Sequence, residues 1–176
     1  MKETWNPRIE VSRREARILA LCKKQKLWAF LRKYRHLLLD DEMQAALRAM
    51  YAPSGRGKPV SPERLALAMI LQVAFHVPDH EVPTLTAVDR RWRMVLDSLD
   101  EPNDEPLFSQ GTVFHFRERA RESGLMKRLL DKTVEVAERT RGFSHKRLRL
   151  MIDSSPLTGA GRGEDTFILI GRSLRK

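Results

Sequence analysis

The sequence predicts a mainly α protein: a multi-helix N-terminal domain over residues 1–142, then the first strand of an incomplete α/β unit over residues 143–176. Three observations carry this. Capped segments with helical apolar spacing follow one another as far as Gly142. One of them, Leu65 through Phe75, is apolar nearly all round and reads as the buried centre of the core. Near the end the pattern changes: Leu148, Leu150 and Ile152 alternate with Arg147, Arg149, Met151 and Asp153, the period-two signature of a strand.

Residues 12–38 read as one long helix. Ser12 is its N-cap and Glu15 stands three residues on, a capping-box pattern. Ile18, Leu21, Cys22, Leu27, Phe30 and Leu31 lie near helical spacing. Arg13, Arg14, Arg17, Lys23, Lys24, Lys26, Arg32, Lys33 and Arg35 make the other face. Asp40 or Asp41 caps a second helix through Met50, and residues 51–60 are a Pro/Gly loop. Ser61-Pro62-Glu63 opens the apolar helix with a cap, a proline in the first turn and an acid near the positive end of the dipole. Pro78 ends it. Asp79 starts a short helical piece, interrupted or begun anew at Pro83, residues 86–97 continue as helix, and residues 98–108 form an acidic loop. Ser109 caps the next helix, with Val113, Phe116 and Ala120 inward, and Gly124 breaks it. Residues 125–141 follow with Met126, Leu129, Leu130, Thr133, Val134 and Ala137 inward. After the strand and a Pro/Gly loop, a last helical piece opens at Glu164 or Asp165.

The charge points to a polyanionic partner. Lys and Arg number 33 against 23 Asp and Glu, for a net charge of +10. The excess is uneven: residues 1–36 hold 11 basic and 3 acidic groups, residues 37–110 hold 7 and 12, and residues 111–150 hold 11 and 5. Two basic blocks flanking an acidic, apolar middle suit a folded core with two positive surfaces. Cys22 is alone, which excludes an intrachain disulfide and a cysteine-based metal cluster and fits a reducing, cytoplasmic setting. No apolar run is long enough to span a membrane, and the charged N-terminus has no signal region.

Candidate DNA contacts follow from the two blocks. Arg13, Arg14, Arg17, Lys23 and Lys24 can lie along a phosphate backbone. Residues 109–121 could be the second helix of a helix-turn-helix, presenting Gln110, His115, Arg117, Arg119 and Arg121, residue types that touch bases and phosphates. A packing helix with a solvated face is the plain alternative for each. His76 and His80 have a metal-like spacing, but Pro78 lies between them and no third ligand is evident. The Gly159–Gly163 run has neither the strand-to-glycine spacing of a dinucleotide site nor the Gly-Lys-Ser/Thr of a P-loop. Asp153 ends its strand beside an opening loop, where a carboxylate could hold a metal or a substrate, or simply form a turn.

The segment Asp153-Ser-Ser-Pro-Leu-Thr-Gly-Ala-Gly-Arg-Gly-Glu-Asp-Thr-Phe resembles the region around the first catalytic Asp of bacterial insertion-sequence transposases of the DDE type, whose catalytic core is ribonuclease-H-like. The helical part is similar to their N-terminal domain. The matching pieces, in order, are Ser61-Pro-Glu-Arg-Leu-Ala-Leu-Ala-Met-Ile-Leu-Gln, Asp79-His-Glu-Val, Asp89-Arg-Arg-Trp92, and Phe108-Ser-Gln-Gly-Thr112 with Phe116-Arg117. The resemblance implies DNA transposition, with Asp153 as the first of three carboxylates that bind two Mg²⁺ ions for in-line phosphoryl transfer. It also implies the ends of an insertion element as the DNA partner, and a bacterial, nucleoid-associated location. Family members continue past the point where this sequence stops, into the second Asp and the Glu. The expectation is therefore a truncated N-terminal fragment that binds DNA, does not catalyse alone and holds no Mg²⁺ tightly. The rival expectation is a non-catalytic helical module that forms homo-oligomers or pairs with full-length transposase.

Overall fold

The first two helices divide where a continuous helix would have split its apolar face. In a computed structural model that describes residues 5–51, 60–101 and 105–141, α1 (Arg13–Leu21) and α2 (Lys26–Leu38) are separate helices, not one helix over 12–38. At about 100° per residue, a straight helix would put Leu27 on the side opposite Ile18. The turn between them lets both be buried. It is closed by the Cys22 N–H donating to the Ile18 and Leu19 carbonyls, and by Gln25 N–H donating to the Cys22 carbonyl at 2.8 Å. The capping box at Ser12 and Glu15 forms as expected.

The remaining elements are α3 (Asp41–Ala49), α4 (Pro62–Phe75), α5 (Val82–Val88), α6 (Arg90–Val95), α7 (Gln110–Glu122) and α8 (Leu125–Thr140). Asp40 caps α3, accepting from Met43 N–H at 3.0 Å. Ser61 caps α4, with Pro62 in the first turn, and the helix is buried from Leu65 through Gln72. It ends at His76 in a left-handed conformation, two residues before Pro78. The stretch 86–97 is not one helix. Asp89 takes extended backbone between α5 and α6, and its side chain accepts from Arg91 N–H at 2.7 Å to start α6. Val113, Phe116 and Ala120 are buried on α7 as their spacing predicts. On α8 the buried line is Leu125, Leu129, Thr133, Val136 and Ala137, with Met126, Leu130 and Val134 only half-buried.

The helices pack around α2 and α4. Helix α2 lies against α6 and α8, α4 against α3, α6 and α7, and α1 against α6. The Trp28 and Phe75 rings stack at 4.5 Å between centroids, joining α2 to α4. Lys132 pairs with Asp40 at 2.8 Å, and so ties α8 to the cap of α3.

Two arginines assigned to the outer basic face are in fact core residues: Arg32 and Arg35 are fully buried. Arg32 donates to both Glu15 carboxylate oxygens, at 2.6 and 2.9 Å, and to the Glu10 carbonyl at 2.7 Å. Arg35 donates to the Met94 and Val95 carbonyls, at 2.8 and 3.0 Å, and to Asp97 Oδ1 at 2.6 Å. Arg93, also buried, donates to the carbonyls of Thr86, Ala87, Ser98 and Glu101. Helix ends leave carbonyls without partners, and these guanidinium forks fill that need for α5 and α6. Among the described residues there is no strand. The segment 147–153, Asp153 and the Gly159–Gly163 loop lie outside them.

Candidate nucleic-acid interface

Helix α1 turns Glu15 and Ile18 inward, which leaves Arg13, Arg14 and Arg17 on the solvent side. The turn after it exposes Lys23 and Lys24, and Lys26 at the start of α2 is exposed as well. Arg14 shares Asp100 with Arg8, at 3.3 and 3.7 Å. Arg13, Arg17, Lys23, Lys24 and Lys26 have no ion-pair partner among the described residues. The only acid that α1 itself carries, Glu15, is taken up by Arg32. The result is a surface of uncompensated positive charge on a short, capped, rigidly closed element.

The second expected surface, on α7, is built differently. Gln110, His115, Arg119 and Arg121 are exposed. Arg121 pairs with Glu118 at 3.1 Å, and the Arg119 guanidinium lies 4.9 Å from the centre of the Tyr51 ring. His115 sits edge-on to Phe114, which is half-exposed. Arg117 points back into the fold. It donates to the two Asp79 oxygens, at 3.0 and 2.5 Å, and to Gln72 Oε1 at 3.0 Å, while Gln72 Nε2 donates to Asp79 Oδ1 at 2.6 Å. The Arg117 hydrogen bonds hold the Asp79 carboxyl below its ordinary value, against burial. Helix α7 packs on α4 and α8, whereas α1 packs on α6, so the two basic blocks rest on different parts of the core.

The residues quoted for the family resemblance turn out to be clamps. Gln72, Asp79 and Arg117, 45 positions apart at the extremes, form the three-way lock just described. Glu63 is buried, accepts from Ser61 Oγ at 2.7 Å and pairs with Arg48 at 3.2 Å. Arg64 donates to Glu101 at 2.6 and 3.2 Å and to the Asp97 carbonyl at 3.0 Å. In Asp89-Arg-Arg-Trp92, Trp92 is core, Asp89 caps α6, and its oxygens hold Arg91 over the Trp28 ring, 5.2 Å from the centroid. Linear reading missed the Gln72–Asp79–Arg117, Arg48–Glu63 and Arg64–Glu101 partners because these close between positions distant in sequence. The one available signal was that Asp79 and Arg117 both fell in matching pieces.

A family model described as Transposase domain (DUF772) matches residues 19–119. The chain belongs to this transposase-domain family. The matched span runs from the end of α1 into α7, and so contains both halves of the Gln72–Asp79–Arg117 lock and the buried Arg32, Arg35 and Arg93 of the transposase domain. Neither a curated protein nor a solved structure matches the chain. Among the described residues, no group of three His, Cys, Asp or Glu side chains could hold a metal ion. His76 and His80 are both exposed, and His76 closes α4 while His80 lies beyond Pro78, so they do not share a helix. Within the same residues no helix is long and apolar enough to cross a membrane.

Proposed function

We propose that this transposase domain binds duplex DNA through the exposed face of α1 and the turn that follows it, in support of transposition of the DDE type. The observation that carries the reading is the uncompensated charge of Arg13, Arg17, Lys23, Lys24 and Lys26 in a chain of a transposase family. Phosphate contacts of this kind release condensed counterions, so affinity falls steeply with salt. The α7 face, where Arg121 pairs with Glu118 and Arg119 lies over the Tyr51 ring, is assigned a secondary, positioning role at most. Fluorescence anisotropy on a labelled duplex over a salt series tests the reading. If four of the α1 and turn cations engage phosphates, log K falls against log salt with a slope of about −3.6. Binding that does not respond to salt, or no binding at low salt, removes it.

The DDE type rests on the resemblance of the Asp153 segment. There Asp153 is the carboxylate that would help hold Mg²⁺. The ion, when bound, supplies charge to the oxygens of the transferred phosphoryl group. With one carboxylate the chain should bind Mn²⁺ only weakly, so electron paramagnetic resonance at high Mn²⁺ should show weak binding by the wild-type chain that Asp153→Asn reduces, and equal binding by both proteins sinks the assignment.

A further inference from the structure

The large apolar side chain most open to solvent among the described residues is Leu21, 89% exposed at the last position of α1. Its placement is specific. Arg13, Arg17 and Leu21 are spaced by four, so they line one helical face, and all three are exposed. Lys23 and Lys24 follow within the turn. Leu21 is thus the tip of a basic ridge.

The ridge is anchored. Cys22 N–H closes the turn onto Ile18 and Leu19, and Gln25 closes it again through the Cys22 carbonyl. The Trp28 indole N–H donates to Gln25 Oε1 at 2.8 Å, and the Trp28 ring is held between Phe75 and Arg91. Leu21 therefore projects from a platform tied directly to the core.

An occupant of this tip must offer dense negative charge and an apolar slot together. A second copy meeting this tip through the same face would bring the same five uncompensated cations, which disfavours symmetric self-contact. A duplex offers both: phosphates on either side and, between them, base steps into which a Leu can insert from the minor groove. We infer that Leu21 is a wedge that partly unstacks one base step while Arg13, Arg17, Lys23 and Lys24 grip the flanking phosphates. The inference rests on the DNA-binding reading above and adds to it a deformation of the DNA that charge alone does not produce.

The test uses the whole chain and duplexes that carry 2-aminopurine in place of adenine at TA steps, which unstack most readily. Anisotropy and 2-aminopurine fluorescence are read on the same samples. The expected result is a rise in fluorescence with the wild-type chain. Leu21→Ala should abolish that rise and leave the salt slope intact, and Leu21→Met should restore it. Truncating a side chain this exposed does not disturb the core, which circular dichroism checks. Binding without any fluorescence rise, or a rise that survives Leu21→Ala, overturns the wedge and leaves DNA binding standing. No binding at low salt overturns both. If Leu21→Ala instead shifts the mass in light scattering, or weakens only adsorption to vesicles of anionic phospholipid, Leu21 serves a second copy or a lipid surface, and the wedge is again overturned.

Discussion

At the scale of single residues, the structure divides its arginines into two kinds. Arg32, Arg35 and Arg93 are buried, and each uses its planar fork to satisfy carboxylates or helix-end carbonyls. Burial pushes Arg35 down from its ordinary value, to about 10, against the pull of Asp97, so it stays charged at neutral pH. The Glu15–Arg32 pair joins the first turn of α1 to the middle of α2, and removing one partner leaves the other charge buried without compensation. Arg32→Ala should cost about 3–5 kcal/mol in urea unfolding, and Glu15→Gln combined with Arg32→Met should cost much less. Burial alone would raise the Glu15 carboxyl, but the Arg32 and Ser12 hydrogen bonds win and hold it below the ordinary glutamate value. A lowered folded value contributes stability above the unfolded value, and that contribution is lost as pH falls through the folded one. The wild-type chain should therefore lose more stability than Glu15→Gln does as pH falls below about 4.3, the unfolded glutamate value, as read by unfolding at stepped pH. Parallel acid curves would contradict the pairing.

At the scale of elements, local chemistry was legible and long-range chemistry was not. The caps at Ser12, Ser61 and Ser109 could be read directly, and that at Asp40 as one of two neighbouring candidates, because a cap is a contact across three residues. The burial of α4 was legible from its lack of a polar face. The breaks at Cys22–Gln25 and at Asp89 were not, since no Gly or Pro marks either. One arises from the need to bury Ile18 and Leu27 together, the other from an Asp that caps forward. Charge spacing misled in a similar way: Arg32, Arg35 and Arg117 share the helical period of solvated residues, and only their partners Glu15, Asp97 and Asp79 reveal them as internal. Arg117 gives the element-scale prediction. Its fork joins α7 to the α4–α5 connection, so Arg117→Ala should cost about 1–3 kcal/mol of stability. The same substitution should leave the salt slope of DNA binding unchanged. A lower slope with full stability would make Arg117 a phosphate contact instead.

At the scale of the whole molecule, the described chain is a helical transposase domain in which the family's matched span builds the frame and the most uncompensated charge lies at its edge. The match begins at residue 19, inside α1, so Arg13 and Arg17 precede it while Lys23 and Lys24 fall within it. On the surface of the described residues the two basic faces are not equivalent. On α7, Arg121 pairs with Glu118 and Arg119 lies over the Tyr51 ring, whereas the face of α1 stands open around Leu21. The central claim is that the open one holds the DNA, and a paired salt series tests it most directly. Arg13, Arg17, Lys23 and Lys24 are replaced by Ala in one variant, Arg119 and Arg121 in another, and the anisotropy slopes are compared with that of the parent chain. The account predicts a loss of about 3–4 units of slope in the first variant and little change in the second. A slope preserved in the first and lost in the second would contradict it and move the DNA to α7.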